Sequence, residues 1–193
     1  GNPAIGLALG DDPSIMAFDA YSASQISSRT VCEALQRAVR YQRIVGAALN
    51  LAIEQSRDAC VIRFSSQGKE LVPATEGFDA GLALTLSSLR LTTQQSITPI
   101  RVEFSYPQPV DLQPYQQLFN CPLCFAAPNY CLVLAPQVLE LPMLFANPQL
   151  ALYHEAQLQH SLKPDLHAGV AEKVRRFVVQ SLPSGEPSLA QAA

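Results

Sequence analysis

The chain has 193 residues, of which 48% are hydrophobic and only 15% are charged, and its formal net charge is −3. This length fits one domain, or one domain with an appendage, and free-standing nucleic-acid binders are normally basic, which argues against that class. No apolar run approaches the roughly 20 residues that span a bilayer, and no signal peptide opens the chain, so we expect a cytoplasmic protein with reduced thiols.

The first half of the chain predicts a helix followed by a pair of strands. The sequence before Thr30 shows no clear period. Thr30 and Glu33 then form a capping box, and apolar residues recur behind it at helical spacing, which predicts a helix over about 30–44. Apolar residues alternate at 49–53 and again at 60–64, on either side of a short turn, a pattern typical of two antiparallel strands.

The middle of the chain mixes both periods. Residues 77–92 have the apolar spacing of a second helix, and residues 100–106 alternate as a strand that two prolines end. Residues 112–119 fit a short helix. Residues 123–126 and 130–134 fit two short strands around a turn that contains proline and asparagine.

The last third of the chain is predicted to be helical. Asn147 is a suitable N-cap, and Pro148 occupies the first helical position. The apolar face of this helix is predicted to carry Leu150, His154, Leu158 and Leu162. Another helical pattern follows over about 166–181.

Together these elements predict an α+β fold, with a mainly antiparallel sheet of four or five strands flanked by helices and a C-terminal helical stub. Pro164 interrupts the late helical pattern. We therefore place a domain boundary there, between a body of residues 1–163 and a second unit of residues 164–193.

The C-x-x-C motif of Cys121 and Cys124, with Cys131 seven residues later, raises the question of a metal or redox site. A structural zinc site usually needs four ligands, and a redox C-x-x-C works best at a helix N-terminus. This motif lies between a predicted helix end and a strand start. We interpret these cysteines as small, partly buried hydrophobic residues and predict no metal site, while a thiol-based redox sensor remains an alternative.

Several stretches of the chain resemble one protein family. They read ALQRAVRYQR at 34–43, VEFSYPQP at 102–109, LFNCPLCFAAPNYCLVL at 118–134, LPMLFANPQL at 141–150, VRRF at 174–177 and LPSGEPSLAQ at 182–191. They are similar to segments of the AraC/XylS transcription regulators whose N-terminal effector domain is called arabinose-binding-like. Tyr106 stands where a histidine is common, Asn147 replaces an aspartate, and Cys124 occupies a variable or basic position.

The resemblance implies the effector-sensing and dimerising domain of a bacterial regulator over residues 1–163. Residues 164–193 would be the linker and the start of a helix-turn-helix DNA-binding domain, cut before its recognition helices, so no DNA-binding residue is assigned. The implied partners are an unidentified small-molecule effector, DNA through the missing domain and a second copy of the chain, with no membrane and no cofactor. The family serves many pathways, so arabinose is not implied.

No catalytic constellation is present in the sequence. It lacks a G-x-S-x-G elbow and both common phosphate-binding glycine motifs, and its three histidines form no local cluster, so we predict no enzyme. A small enzyme and a dimerisation-only module remain rival hypotheses.

A sensor needs an apolar pocket with a few polar groups. Our candidate ligand-binding residues are Tyr41, Arg43, Arg63, Tyr106, Phe119 and Phe125. Tyr106 shares the apolar face of its predicted strand, which favours it. Arg63 can instead lie on a solvated sheet face, and Tyr41 can be a core residue whose hydroxyl reaches the surface.

Overall fold

The computed structural model describes residues 5–8, 19–44, 49–66 and 75–162 of the chain. The described helices are α1 (Ile5–Ala8), α2 (Ala20–Ile26), α3 (Val31–Tyr41), α4 (Thr75–Thr93), α5 (Gln113–Phe119) and α6 (Pro148–Leu162). The described strands are β1 (Leu49–Gln55), β2 (Cys60–Ser66), β3 (Arg101–Glu103), β4 (Leu123–Cys124) and β5 (Tyr130–Leu134), and 3-10 turns follow α3 (Gln42–Ile44) and β5 (Pro136–Glu140).

The chain divides into two compact units, Gly1–Leu158 and Gln159–Ala193. The fold described below is that of the first unit. The boundary predicted near Pro164 and the helix predicted over 166–181 lie outside the described residues. None of the described helices is long and apolar enough to cross a membrane.

The five strands form one sheet in the order β1-β2-β5-β3-β4, antiparallel throughout except for the parallel pair β3 and β4. On β2 every second residue is buried, because side chains alternate between the two faces of a strand. Ile62 is fully buried and lies opposite Ile53 on one side and Leu132 on the other. The predicted α+β fold with a mainly antiparallel sheet is confirmed.

Two strand predictions were wrong in detail. The strand predicted over 100–106 pairs regularly only over β3, because the backbone beyond it bonds to a turn: the amide of Ala126 donates to the carbonyl of Tyr106 at 2.8 Å. The strand predicted at 123–126 is shorter than expected, and β3 lies between it and the strand at 130–134 in the sheet. β4 contains only two residues, and Ala126 has a left-handed φ of 55° that ends the extended path.

Helix α2 was missed because the residues that it buries are serines. Its buried residues are Ser22 and Ser24, so the burial of this helix follows no apolar stripe. The signal for its start is a polar cap: the Asp19 carboxylate accepts a hydrogen bond from the amide of Ser22 at 2.9 Å. Helix α3 starts as predicted, with the Thr30 hydroxyl accepting from the amide of Glu33.

The core lies between the sheet and the helices α3 and α4. Leu82 and Leu86 of α4 are fully buried in the same cluster as Ile62, Leu132 and Leu134 of the sheet. Fully burying one such side chain stabilises the fold by about 1.5–3 kcal/mol relative to leaving it exposed. This cluster therefore fixes how α4 sits on the sheet.

Helix α6 begins as predicted but packs through a different face. The Asn147 side chain accepts a hydrogen bond from the amide of Leu150 at 3.1 Å, which confirms the N-cap. Of the residues predicted to share an apolar face, Leu158 is buried, whereas Leu150 and Leu162 are 43% and 42% exposed. The buried residues of α6 are Ala151, Glu155 and Leu158.

A buried carboxylate connects α6 to α3. Glu155 is 7% exposed, and its Oε1 accepts hydrogen bonds from the guanidinium of Arg40 at 2.7 Å and from the hydroxyl of Tyr41 at 3.1 Å. Its Oε2 lies 3.5 Å from Nε of Arg37, which is also largely buried. A carboxylate taken out of water needs such partners, so this pairing determines which face of α6 packs.

We expect Glu155→Gln to lower the free energy of unfolding by about 1–2 kcal/mol, because it removes the charge that the buried guanidinium of Arg37 faces. The matched control is Glu54→Gln, which alters the exposed ion pair with Arg63 (57% and 34% exposed) and should cost no more than about 0.5 kcal/mol. Urea denaturation of both variants measures the difference. Equal losses would contradict a stabilising role for Glu155.

Candidate functional site

A cavity of about 570 Å³ lies between α2, α3, α4 and the hairpin of β1 and β2. One face of α4 explains why space remains there. Gly77, Gly81, Thr85 and Ser88 recur at helical spacing and all line the cavity. Protein interiors are normally packed without large voids, and the small side chains of this row leave volume beside α4 that larger residues would fill.

Apolar side chains make most of the wall. Helix α3 contributes Leu35 and Ala38, β1 contributes Leu51, and β2 contributes Phe64. The ring of Phe64 packs directly against Gly81, where a Cβ atom would lie only 3.0 Å from the ring. A side chain at position 81 would therefore require the ring of Phe64 to shift by a few tenths of an ångström.

Most polar groups of the wall are bonded to the neighbouring backbone. The hydroxyl of Tyr21 donates to the carbonyl of Ala38 at 3.3 Å, and the amide of Gln42 donates to the carbonyl of Leu51 at 3.1 Å. Burial raises the pKa of Tyr21 from 10.0 to about 12. A tyrosine phenol is neutral at physiological pH with or without this shift. These groups hold the wall together and are only partly available to a ligand.

Three hydroxyls of the wall are unused. Within the described part of the chain, the side chains of Ser22, Thr85 and Ser88 make no side-chain hydrogen bond. The acidic group of the wall is Asp19, which is exposed. Among the described residues that line the cavity, none is lysine, arginine or histidine. The cavity thus combines apolar walls, a few free hydroxyls and no positive charge from the described residues.

None of the six residues predicted to bind a ligand is among the described residues that line this cavity. Tyr41 is buried at the end of α3 beside Glu155, and Arg43 is exposed in the following 3-10 turn. Arg63 pairs with Glu54 across the sheet. Contact of these residues with an effector stays a prediction.

The structure does bring the other three predicted residues together around Phe104. Its ring centroid lies 5.6 Å from that of Tyr106, 5.9 Å from that of Phe119 and 4.9 Å from that of Phe125. This aromatic cluster belongs to the hydrophobic core. The sequence analysis did not identify the cavity residues of α2 and α4. For α4, the sequence signal was the row of small residues between 77 and 88.

A buried carboxylate lies beside the aromatic cluster. Asp79 of α4 is 1% exposed, and its Oδ2 accepts a hydrogen bond from the hydroxyl of Tyr106 at 2.8 Å. The hydroxyl of Tyr115 lies 2.9 Å from that of Tyr106 and 3.3 Å from the same carboxylate oxygen. The other oxygen, Oδ1, is buried without a partner in the described part of the chain. Burial raises the pKa of Asp79 to about 6, although the tyrosine hydrogen bonds act in the opposite direction.

The cysteines of the C-x-x-C motif are free thiols. Cys121 is half-buried, and Cys124 is exposed on β4. Burial raises the pKa of Cys121 to about 11, which disfavours the reactive thiolate. No group of three or more potential metal ligands occurs within residues 5–8, 19–44, 49–66 and 75–162. The interpretation of these cysteines as packing residues stays a prediction.

Comparison with known proteins identifies relatives. The family model described as the arabinose-binding domain of AraC transcription regulators, N-terminal, matches residues 1–143. The ornithine utilization regulator of Pseudomonas aeruginosa is 31% identical over 198 residues, covering 100% of this chain and 57% of that protein.

The fold is also similar to the crystal structure of the transcriptional regulator CdpR from Pseudomonas aeruginosa. The TM-score is 0.64 at 20% sequence identity, and the match covers 98% of this chain and 62% of that one. The chain therefore spans about three fifths of the length of these two relatives.

We expect Asp79→Asn to change how stability depends on pH. Because the folded pKa is raised from 3.8 to about 6, the folded state binds the proton more tightly than the unfolded chain. As the pH falls from about 7.5 to about 4.5, the free energy of unfolding of the wild type should therefore increase by about 2 kcal/mol relative to that of Asp79→Asn.

Urea denaturation of both proteins across this pH range measures the effect. The control is Asp58→Asn, which changes an exposed carboxylate in the turn between β1 and β2. The free energies of unfolding of the wild type and this control should differ by a nearly constant amount across the range. A constant difference in this free energy between the wild type and Asp79→Asn would contradict the raised pKa of Asp79.

Proposed function

The chain belongs to the AraC family of transcription regulators and contains its N-terminal arabinose-binding-type domain, and we propose that it senses a small-molecule effector in the cavity beside α4. The observation that carries the proposal is the cavity itself. Its volume of about 570 Å³ lies within the range of about 300–1,000 Å³ typical of small-molecule sites. Apolar walls with a few free hydroxyls are also typical of such sites.

Helix α3 offers a route from the cavity to α6. Its residues Leu35 and Ala38 line the cavity, while Arg37, Arg40 and Tyr41 hold Glu155 of α6. A ligand that prefers one position of α3 shifts the balance between two arrangements of α6. In this proposal α6 passes that shift to the residues that follow it.

The complete regulator would act on transcription in the bacterial cytoplasm. Residues 1–163 would form the sensing and dimerisation domain, and residues 164–193 the linker and the start of a helix-turn-helix domain that binds DNA. The support is the sequence resemblance of residues 174–191 and the greater length of both relatives. The effector is not assumed to be arabinose, or ornithine from the name of the relative.

Exposed side chains before and along α6 suggest a second subunit. We define the α6 apolar surface as five residues that are between 43% and 63% exposed: Leu144, Phe145, Leu150, Leu152 and Tyr153. Glu155 is the one Asp, Glu, Lys or Arg residue of α6, and it is buried. Large apolar side chains that are exposed within one short segment can mark a protein interface, which supports a homodimer through these residues.

A test of effector binding uses a metabolite library and the melting temperature of the chain. An effector that binds the native state should raise stability by about 2.7 kcal/mol at 100 times its Kd. Thr85→Phe places a ring in the cavity and should abolish the shift. Ser87→Phe adds the same ring to α4 at a position that does not line the cavity and should retain it.

The same variants connect binding to transcription. In a reporter strain that carries the full-length gene, Thr85→Phe should lose the response to the effector and Ser87→Phe should keep it. If no compound raises the melting temperature, or if Thr85→Phe retains the full shift, the dimerisation-only alternative is favoured.

A separate test concerns the homodimer. We expect the double substitution Leu152→Lys and Tyr153→Lys to convert a dimer to a monomer, because it places two like charges in an apolar interface. Val110→Lys is the control, since Val110 is a fully exposed aliphatic residue in the loop before α5. Sedimentation equilibrium measures the mass. A monomeric wild type, or a dimeric double variant, would contradict this interface.

A further inference from the structure

We propose that the cavity takes an uncharged, mainly apolar effector with a single hydroxyl or carbonyl end, and that it discriminates against carboxylates, amino acids and sugars. This inference rests on the proposed function, because it names the chemical class of ligand for the same cavity. Three properties of the wall support it: the charges, the free hydroxyls and the apolar side chains.

The charges of the wall disfavour an anion. No lysine, arginine or histidine is present among the described lining residues, and the phenol of Tyr21 is neutral at physiological pH, as tyrosines normally are. Asp19 is the acidic residue among the described lining residues, and its carboxylate repels another carboxylate. An anionic head group would lose its hydration here without gaining a cationic partner from the described lining residues.

The same reasoning applies to an amino acid. Its α-carboxylate would be buried without a positive partner from the described wall, even if Asp19 received its ammonium group. The name of the ornithine utilization regulator therefore does not indicate the ligand of this chain. An alcohol or a ketone avoids this loss, because it carries no charge.

The free hydroxyls define where the polar end of the ligand binds. Thr85 and Ser88 are three residues apart on α4, so their side chains are neighbours on one helix face. Each hydroxyl both donates and accepts, which suits one ligand hydroxyl or carbonyl. Ser22 on α2 is the third free hydroxyl of the described wall.

A sugar presents too many polar groups for this wall. The other polar side chains are largely committed: Gln42 bonds the backbone of Leu51, Tyr21 bonds Ala38, and the hydroxyl of Thr92 donates to the carbonyl of Ser88 at 2.7 Å. Each ligand hydroxyl buried without a partner weakens binding. The rest of the ligand instead meets Leu35, Leu51, Phe64, Leu84, Leu89 and Met143.

The experiment compares probes that differ only in their polar end. The pairs are 1-decanol with decanoate, and 4-phenyl-1-butanol with 4-phenylbutyrate; L-ornithine and D-glucose are added separately. Isothermal titration calorimetry at pH 7.5 gives the Kd of each probe for the 193-residue chain. In at least one pair the alcohol should bind about tenfold or more tightly than the carboxylate, and neither L-ornithine nor D-glucose should bind.

Two substitutions of Thr85, with Ser87→Phe as the control, test whether the probes bind in the cavity. Thr85→Val keeps the shape of the side chain but removes its hydroxyl, so it should weaken alcohol binding by about three- to tenfold. Thr85→Phe should abolish binding, whereas Ser87→Phe should leave it unchanged. Thermal melts of each variant establish that it is folded.

The outcomes separate the ligand class from the sensing role. Tighter binding of the carboxylates, of L-ornithine or of D-glucose overturns the ligand class but leaves the cavity as the effector site. Absence of binding by both alcohols, or alcohol binding that survives Thr85→Phe, also overturns the class. The sensing role fails on a different result, namely a full-length regulator in which Thr85→Phe does not alter the response to its effector.

Discussion

Helix α4 packs against the sheet with one face and lines a cavity with a neighbouring face. The architecture of the first unit depends on this division. Leu82 and Leu86 are fully buried in the core cluster with the sheet, which fixes the position of the helix. A neighbouring face carries Gly77, Gly81 and other small residues that leave a cavity towards α2 and α3. Because tight packing on one face holds the helix, the other face can remain open without collapse.

Helix α3 connects this cavity with the end of the described chain. One side of it forms cavity wall, and its last turns supply Arg37, Arg40 and Tyr41 to the buried carboxylate of Glu155. Arg40 and Glu155 are 115 positions apart in the sequence, so this contact forms only in the folded domain. The cavity wall and the partners of this buried charge therefore lie on the same helix.

The sequence was most informative where one face of an element is apolar and the other is polar. The alternation at 49–53 and 60–64 predicted β1 and β2, and the caps at Thr30 and Asn147 predicted the starts of α3 and α6. These signals are local, since they arise from side-chain period and from hydrogen bonds within one turn. The resemblance to AraC regulators depended on similar short stretches.

The features that the sequence did not predict depend on distant partners. The buried face of α6 is set by Glu155 and its guanidinium partners, so an apolar period could not identify it. The parallel pairing of β3 with β4 joins segments that belong to no common hairpin. The cavity is a space beside small side chains of α4 and is also bounded by α2, α3, β1 and β2, so its lining depends on segments that are distant in the sequence.

The composition of α6 has a consequence for how assembly and DNA binding respond to salt. The exposed part of this helix carries no Asp, Glu, Lys or Arg, because its single such residue is buried. Association through this surface should depend little on ionic strength, since there is almost no charge to screen. DNA affinity, by contrast, falls steeply as salt displaces the contacts with phosphates. If the full-length regulator binds DNA and dimerises as proposed above, raising the salt concentration should therefore release the DNA while the two subunits stay together.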